Sequence, residues 1–76
     1  MEKNFESFDA FPFAYLVVVL GITPTLVRRS DKLLYAVPAS DTVLKALRDY
    51  NAGAVVDALR FSAAVKSLRS QLRTQL

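Results

Sequence analysis

Eighteen consecutive residues, Ala10 to Val27, carry no charge in a chain of only 76. A run of that kind seeks burial, so it locates the core before anything else is read. Pro12, Gly21 and Pro24 divide it. Its longest helical stretch, Ala10 to Leu20, would be about 16 Å long, near half of a hydrocarbon core of about 30 Å. Met1 to Asp9 is acidic on balance, unlike the positive leader of a secretory signal. The run therefore reads as the buried helix of a cytoplasmic protein without a membrane span, and a short membrane anchor is the competing reading.

The ends of this stretch have helix chemistry. Ser7 or Asp9 can accept a bond from the first free N–H groups, Pro12 falls in the first turn, and Gly21 suits a left-handed C-cap. The β-branched centre, Tyr15 to Leu20, also suits a buried strand. As a helix it is apolar all round. Phe13, Leu16, Val17 and Leu20 form one stripe, and Phe11, Tyr15, Val18 and Val19 cover the other side. A three-layer core is hard to build from so few residues. The second stripe is thus expected to meet a second chain, or else to lie under the N-terminal arm of residues 1–8, where Phe5 and Phe8 are candidates for docking. Phe11, Tyr15, Val18 and Val19 are the protein-interface candidates.

The rest of the chain divides cleanly. Thr25 to Arg28 and Lys32 to Val37 read as a hairpin, residues 25–37, turning at Ser30 and Asp31, with Pro24 and Pro38 at its outer ends. Ser40 is a helix N-cap, and residues 41–50 bury Val43, Leu44, Leu47 and Tyr50. Asn51 to Gly53 ends that helix. Residues 54–76 read as a last helix with two stripes: Phe61, Val65, Leu68, Leu72 and Leu76 at core spacing, and Lys66, Arg69 and Arg73 along the flank. The expectation is an α+β domain of order α-β-β-α-α, with the helices packed on one face of a two-stranded antiparallel hairpin. A hairpin alone is marginal in water and needs such a cover.

This ordering, with its residues, resembles an uncharacterised domain-of-unknown-function family of small bacterial, archaeal and viral proteins. The resemblance is carried by Phe5-Glu-Ser-Phe-Asp9 before a helix ending in Gly21-Ile22, by Tyr35-Ala-Val-Pro-Ala-Ser-Asp41, by the Leu…Tyr-x-x-Gly pattern of Leu47 to Gly53, and by the Val-x-Ala-x-x-Phe pattern of Val56 to Phe61 before a basic helix. It implies a fold and a setting in viral or mobile genomes. It implies no activity and no functional residues.

The chemistry points away from catalysis. There is no histidine and no cysteine. Ser30, Ser40, Ser62 and Thr23 therefore lack the base that would activate them, and no ordinary zinc site can be built. Asp41, Asp49 and Asp57 are spread over helix starts and faces, as caps and solubilisers. Gly21 and Gly53 are too far apart to make a phosphate-cradling loop. No cofactor, no metal and no small-molecule substrate are implied.

Association remains. The chain is 53% hydrophobic, and its charge is divided, −2 over Met1 to Val27 and +5 over Arg28 to Leu76. A protein partner, self or other, is the first expectation, through the two-sided apolar helix. The alternative is sequence-nonspecific nucleic-acid binding through Arg28, Arg29 and Lys32 at the hairpin tip together with Lys66, Arg69 and Arg73 on the last helix.

Overall fold

The computed structural model of the protein describes residues 3–75. Three helices cover one face of a three-stranded antiparallel sheet. The elements run β1 (Asn4–Ser7), α1 (Ala10–Leu20), β2 (Thr25–Arg29), β3 (Lys32–Pro38), α2 (Asp41–Asn51) and α3 (Ala58–Thr74). The α+β class agrees with the sequence reading. The arrangement corrects it: the order is β-α-β-β-α-α, and the hairpin is part of a larger sheet of order β1-β3-β2.

The added strand is the N-terminal arm. Asn4 to Ser7 pair with Pro38 to Tyr35, and Ala39 extends the contact by donating its N–H to the Lys3 carbonyl at 2.8 Å. The central strand β3 is thereby hydrogen-bonded on both sides. A four-residue strand carries almost no periodic signal, and its partner lies some thirty residues away in the chain, so local pattern does not reveal it. Phe5 points to the helix face, where its ring stacks on Phe13 at 5.2 Å.

Helix α1 forms as its ends predicted. The Asp9 carboxylate accepts from Phe11 N–H at 3.0 Å, and Gly21 closes the helix at φ 68° with its N–H on the Val17 carbonyl. The strand alternative for this segment is excluded. The helix can be apolar all round because three elements surround it. Phe13 lies against Phe5 and Tyr35 of the sheet, Tyr15 meets Tyr50 of α2 at 5.3 Å, and Phe11 meets Phe61 of α3 at 6.0 Å. Phe13, Ala14 and Leu16 are fully buried. The core is thus assembled around one wedged helix, and a third full layer is unnecessary.

Helix α2 is capped by the Ser40 hydroxyl, which accepts from Val43 N–H at 3.2 Å, and it buries Val43, Ala46 and Leu47. Leu44, expected in the core, is instead exposed at the edge of that stripe. Helix α3 begins four residues later than expected. Gly53 at φ 89° and the irregular stretch after it carry the chain away from α2, and the Asp57 carboxylate then starts the new helix by accepting from Arg60 N–H at 3.0 Å. Its core stripe keeps the expected register: Val65 and Leu68 are buried, and Phe61 and Leu72 are half-buried. Leu76, the last member of that stripe, lies outside the described residues. One bond fastens α3 to the sheet. The buried Tyr35 hydroxyl donates to the Leu68 carbonyl at 2.9 Å. No helix among the described residues is long and apolar enough to cross a membrane.

Candidate functional site

Two surfaces are built where α1 meets α3, one cationic and one apolar. The cationic one comes from the sequence of α3, which places Arg60, Lys66, Arg69 and Arg73 on seventeen residues without a single carboxylate. Lys66, Arg69 and Arg73 are spaced so that they line one flank, about 10 Å long from the helical rise. All three are exposed, and none has a carboxylate within ion-pair distance among the described residues. With Leu72 they line an open groove of about 440 Å³.

Arg69 is the hinge of this region. Its guanidinium sits 5.2 Å above the Phe11 ring, a cation–π contact that holds the charge at the groove wall. On its other side Arg69, again with Leu72, lines a second cavity of about 510 Å³ bounded by Ser7, Phe8, Asp9, Ala10 and Tyr35. Burial pushes the Tyr35 phenol above its ordinary value, and the nearby Arg69 charge acts in the opposite direction. The Tyr35 hydroxyl is committed to Leu68, and its ring is buried, so it offers no stacking face. Phe8 does. It is 74% exposed, at the bend between β1 and α1. Its backbone is held on both sides: Ser7 is paired to Tyr35, and the Ser7 hydroxyl accepts from Asp9 N–H at 3.1 Å. The arm reading named Phe8 as a docking residue together with Phe5. The structure separates the two: Phe5 lies in β1 and packs on Phe13, whereas Phe8 lies past the end of the strand and stays in water.

The hairpin tip does not form the cluster expected of it. Arg28 lies opposite Leu33 on the helix-bearing side of the sheet, and Arg29 opposite Lys32 on the open side. The two-residue period of a strand already required this split. Arg29 is also engaged. Its guanidinium donates to both carboxylate oxygens of Glu6, at 2.8 and 3.1 Å, bridging from β2 to β1. Of the six predicted cations, the structure gathers Lys66, Arg69 and Arg73 in one groove.

The apolar surface corrects the interface candidates in one respect. Tyr15 is only 4% exposed and belongs to the core, because α2 folds back to place Tyr50 against it. Phe11 and Val19 are exposed, and Val18 is half-buried. Val17 and Val18 line an open groove of about 420 Å³ with Arg60, Ala63 and Ala64. On the same stripe as Ala63, one turn earlier, stands Leu59, 84% exposed, and Val55 before it is 98% exposed. The core stripe of α3 was legible in the sequence, and its complement, Leu59 to Ala63, was the signal that this side would face outward.

No group of three or more potential metal ligands exists among the described residues. Comparison of the chain with protein-family models, with curated proteins and with solved structures finds no match in any of the three. The family resemblance therefore rests on its motifs alone and gives no residue a role.

Proposed function

We propose that this protein is a non-enzymatic association module that works as a homo-oligomer or as part of a larger protein complex. The observation that carries this reading is Leu59, almost entirely in water, one helical turn before Ala63, which lines a groove with Val17, Val18, Arg60 and Ala64. Isolated apolar side chains on a surface are ordinary. Here a projecting Leu59 stands one turn from a groove lined by Val17, Val18, Ala63 and Ala64 and edged by Arg60, on a helix–helix seam, and Val19 is exposed on the same α1 turn. Burial of such a set against a partner is favourable at about 25 cal/mol per Å² of apolar area.

The test is sedimentation velocity over a wide concentration range, with affinity capture from the native host alongside, for the wild type and for Leu59→Lys. Both proteins should be equally folded, since Leu59 makes little contact within the chain. The expected result is an oligomer or a captured protein, insensitive to salt, that the substitution removes. A monomer at high concentration, together with the same captured proteins for both chains, would overturn the reading.

A second reading, sequence-nonspecific nucleic-acid binding, is supported by the cationic groove of Lys66, Arg69 and Arg73. It uses the opposite end of α3 from Leu59, so the two are compatible within one molecule.

A further inference from the structure

We infer that the cationic groove on α3 is a site for single-stranded nucleic acid, in which Lys66, Arg69 and Arg73 hold successive phosphates and Phe8 stacks on a base in the adjoining cavity. The inference rests on the nucleic-acid reading and gives it a strand preference, a boundary and a residue outside the basic set.

The two cavities adjoin, with Arg69 and Leu72 lining both, and together they make the two halves of the inferred site. One half is lined by three cations and the other by an exposed aromatic ring. Single-stranded sites combine a positive track for the backbone with rings that receive the bases, because every base has a stackable face once it is out of a duplex. Three charges over about 10 Å on one convex helix flank address one strand. Phe11 takes no part as a stacking platform, since one of its faces is covered by Arg69. Phe8, by contrast, is open and carried on backbone fixed at Ser7 and at Asp9.

Among the described residues one carboxylate lines the two cavities, and it decides between two kinds of polyanion. Asp9 lines the Phe8 cavity. An acidic peptide entering there would bring like charge against it. A base brings ring N–H and amino groups that a carboxylate can accept from, and its phosphates stay in the half lined by Lys66 and Arg73. The hairpin-tip cations lie outside the site, as Arg29 is paired with Glu6.

The experiment is a fluorescence-polarisation titration with labelled oligothymidylate, a DNA duplex of the same length, and polyglutamate. The proteins are the wild type, Phe8→Ala and the double variant Lys66→Gln/Arg73→Gln, each checked for fold by circular dichroism and melting. Three phosphate contacts predict a log–log salt slope of about −2 for the single strand, so affinity falls about 100-fold between about 20 and 200 mM salt. The double variant should flatten the slope to about −0.7. Phe8→Ala should weaken oligothymidylate about tenfold, keep the slope, and leave duplex binding unchanged. Equal binding of single strand and duplex with Phe8→Ala silent would overturn the inference and leave nucleic-acid binding standing. Polyglutamate binding as tightly as oligothymidylate, again with Phe8→Ala silent, would make the groove an acidic-protein site. No binding at about 20 mM salt would overturn both. Leu59→Lys should bind like the wild type, which separates this site from the association surface.

Discussion

Leu68 and Arg69 are neighbours in α3, and they belong to different molecules in effect. Leu68 is buried, with its carbonyl held by the Tyr35 hydroxyl of the central strand. Arg69 is exposed, stands over the Phe11 ring, and lines both cavities. The inner side of the helix exchanges apolar surface and one hydrogen bond with the sheet and α1. The outer side presents charge that nothing among the described residues neutralises. The difference teaches that α3 serves fold and surface independently: its core stripe sets where the helix sits, and its flank can change without moving it.

The sharpest way to break that comparison is Leu68→Ala. It removes a buried side chain from the centre of the α3 seam and should lower stability by about 2–5 kcal/mol, read from chemical denaturation. For a domain with about 5–15 kcal/mol in total, that is a large share. A loss under about 1 kcal/mol would mean that α3 is not anchored through its inner stripe.

Tyr35→Phe tests the hydrogen bond alone, at about 1 kcal/mol. It also has a pH signature. Below about pH 10 the phenol is protonated in both the folded and the unfolded chain, and its contribution is fully present. Burial holds the folded phenol above that value, against the opposing pull of Arg69. As pH rises past about 10 the unfolded chain gives up its proton first, so stability falls until the folded phenol ionises. The Phe variant should lose this part of the alkaline decline. An unchanged alkaline profile would refute the role given to Tyr35.

The smallest effect belongs to the outer side. Lys66→Gln/Arg73→Gln should leave the unfolding free energy within about 0.5 kcal/mol of the wild type, because solvated surface charges contribute little to stability. A slight gain would sharpen the comparison further, since it would show that unneutralised charge on α3 is maintained against the fold. A loss of several kcal/mol would merge the two sides into one structural unit.

Much of this architecture is legible residue by residue. Asp9 and Ser40 start helices because a short carboxylate or hydroxyl reaches the first free N–H groups, and Gly21 ends one because it adopts a left-handed backbone without penalty; Asp57 caps α3 by the same rule, at a position the sequence reading placed inside the helix. The core stripe Val65, Leu68, Leu72 and the flank Lys66, Arg69, Arg73 follow from 3.6-residue periodicity. Pleat alternation, applied to Arg28 and Arg29, separates them as well. These are local rules, and each needs only a handful of neighbouring residues.

Three features needed distant parts of the chain. Asn4 to Ser7 become a strand only because β3 offers an unpaired edge, and the short segment has no pattern of its own to announce it. Tyr15 is buried only because α2 returns to set Tyr50 beside it, so one member of an apolar stripe that looked open to a partner is closed from within while Phe11 and Val19 stay exposed. Phe8 and Arg69 line one cavity although they lie 61 positions apart, an adjacency produced by the seating of α1 on α3. The amino-acid sequence by itself determined where α1 and α2 begin and end, which stripes are apolar and where the charge is carried, because backbone capping and side-chain periodicity act over a few residues. Only the tertiary structure decided which apolar faces meet and which stay in water, because that depends on which segments compete for the same surface once the chain is folded.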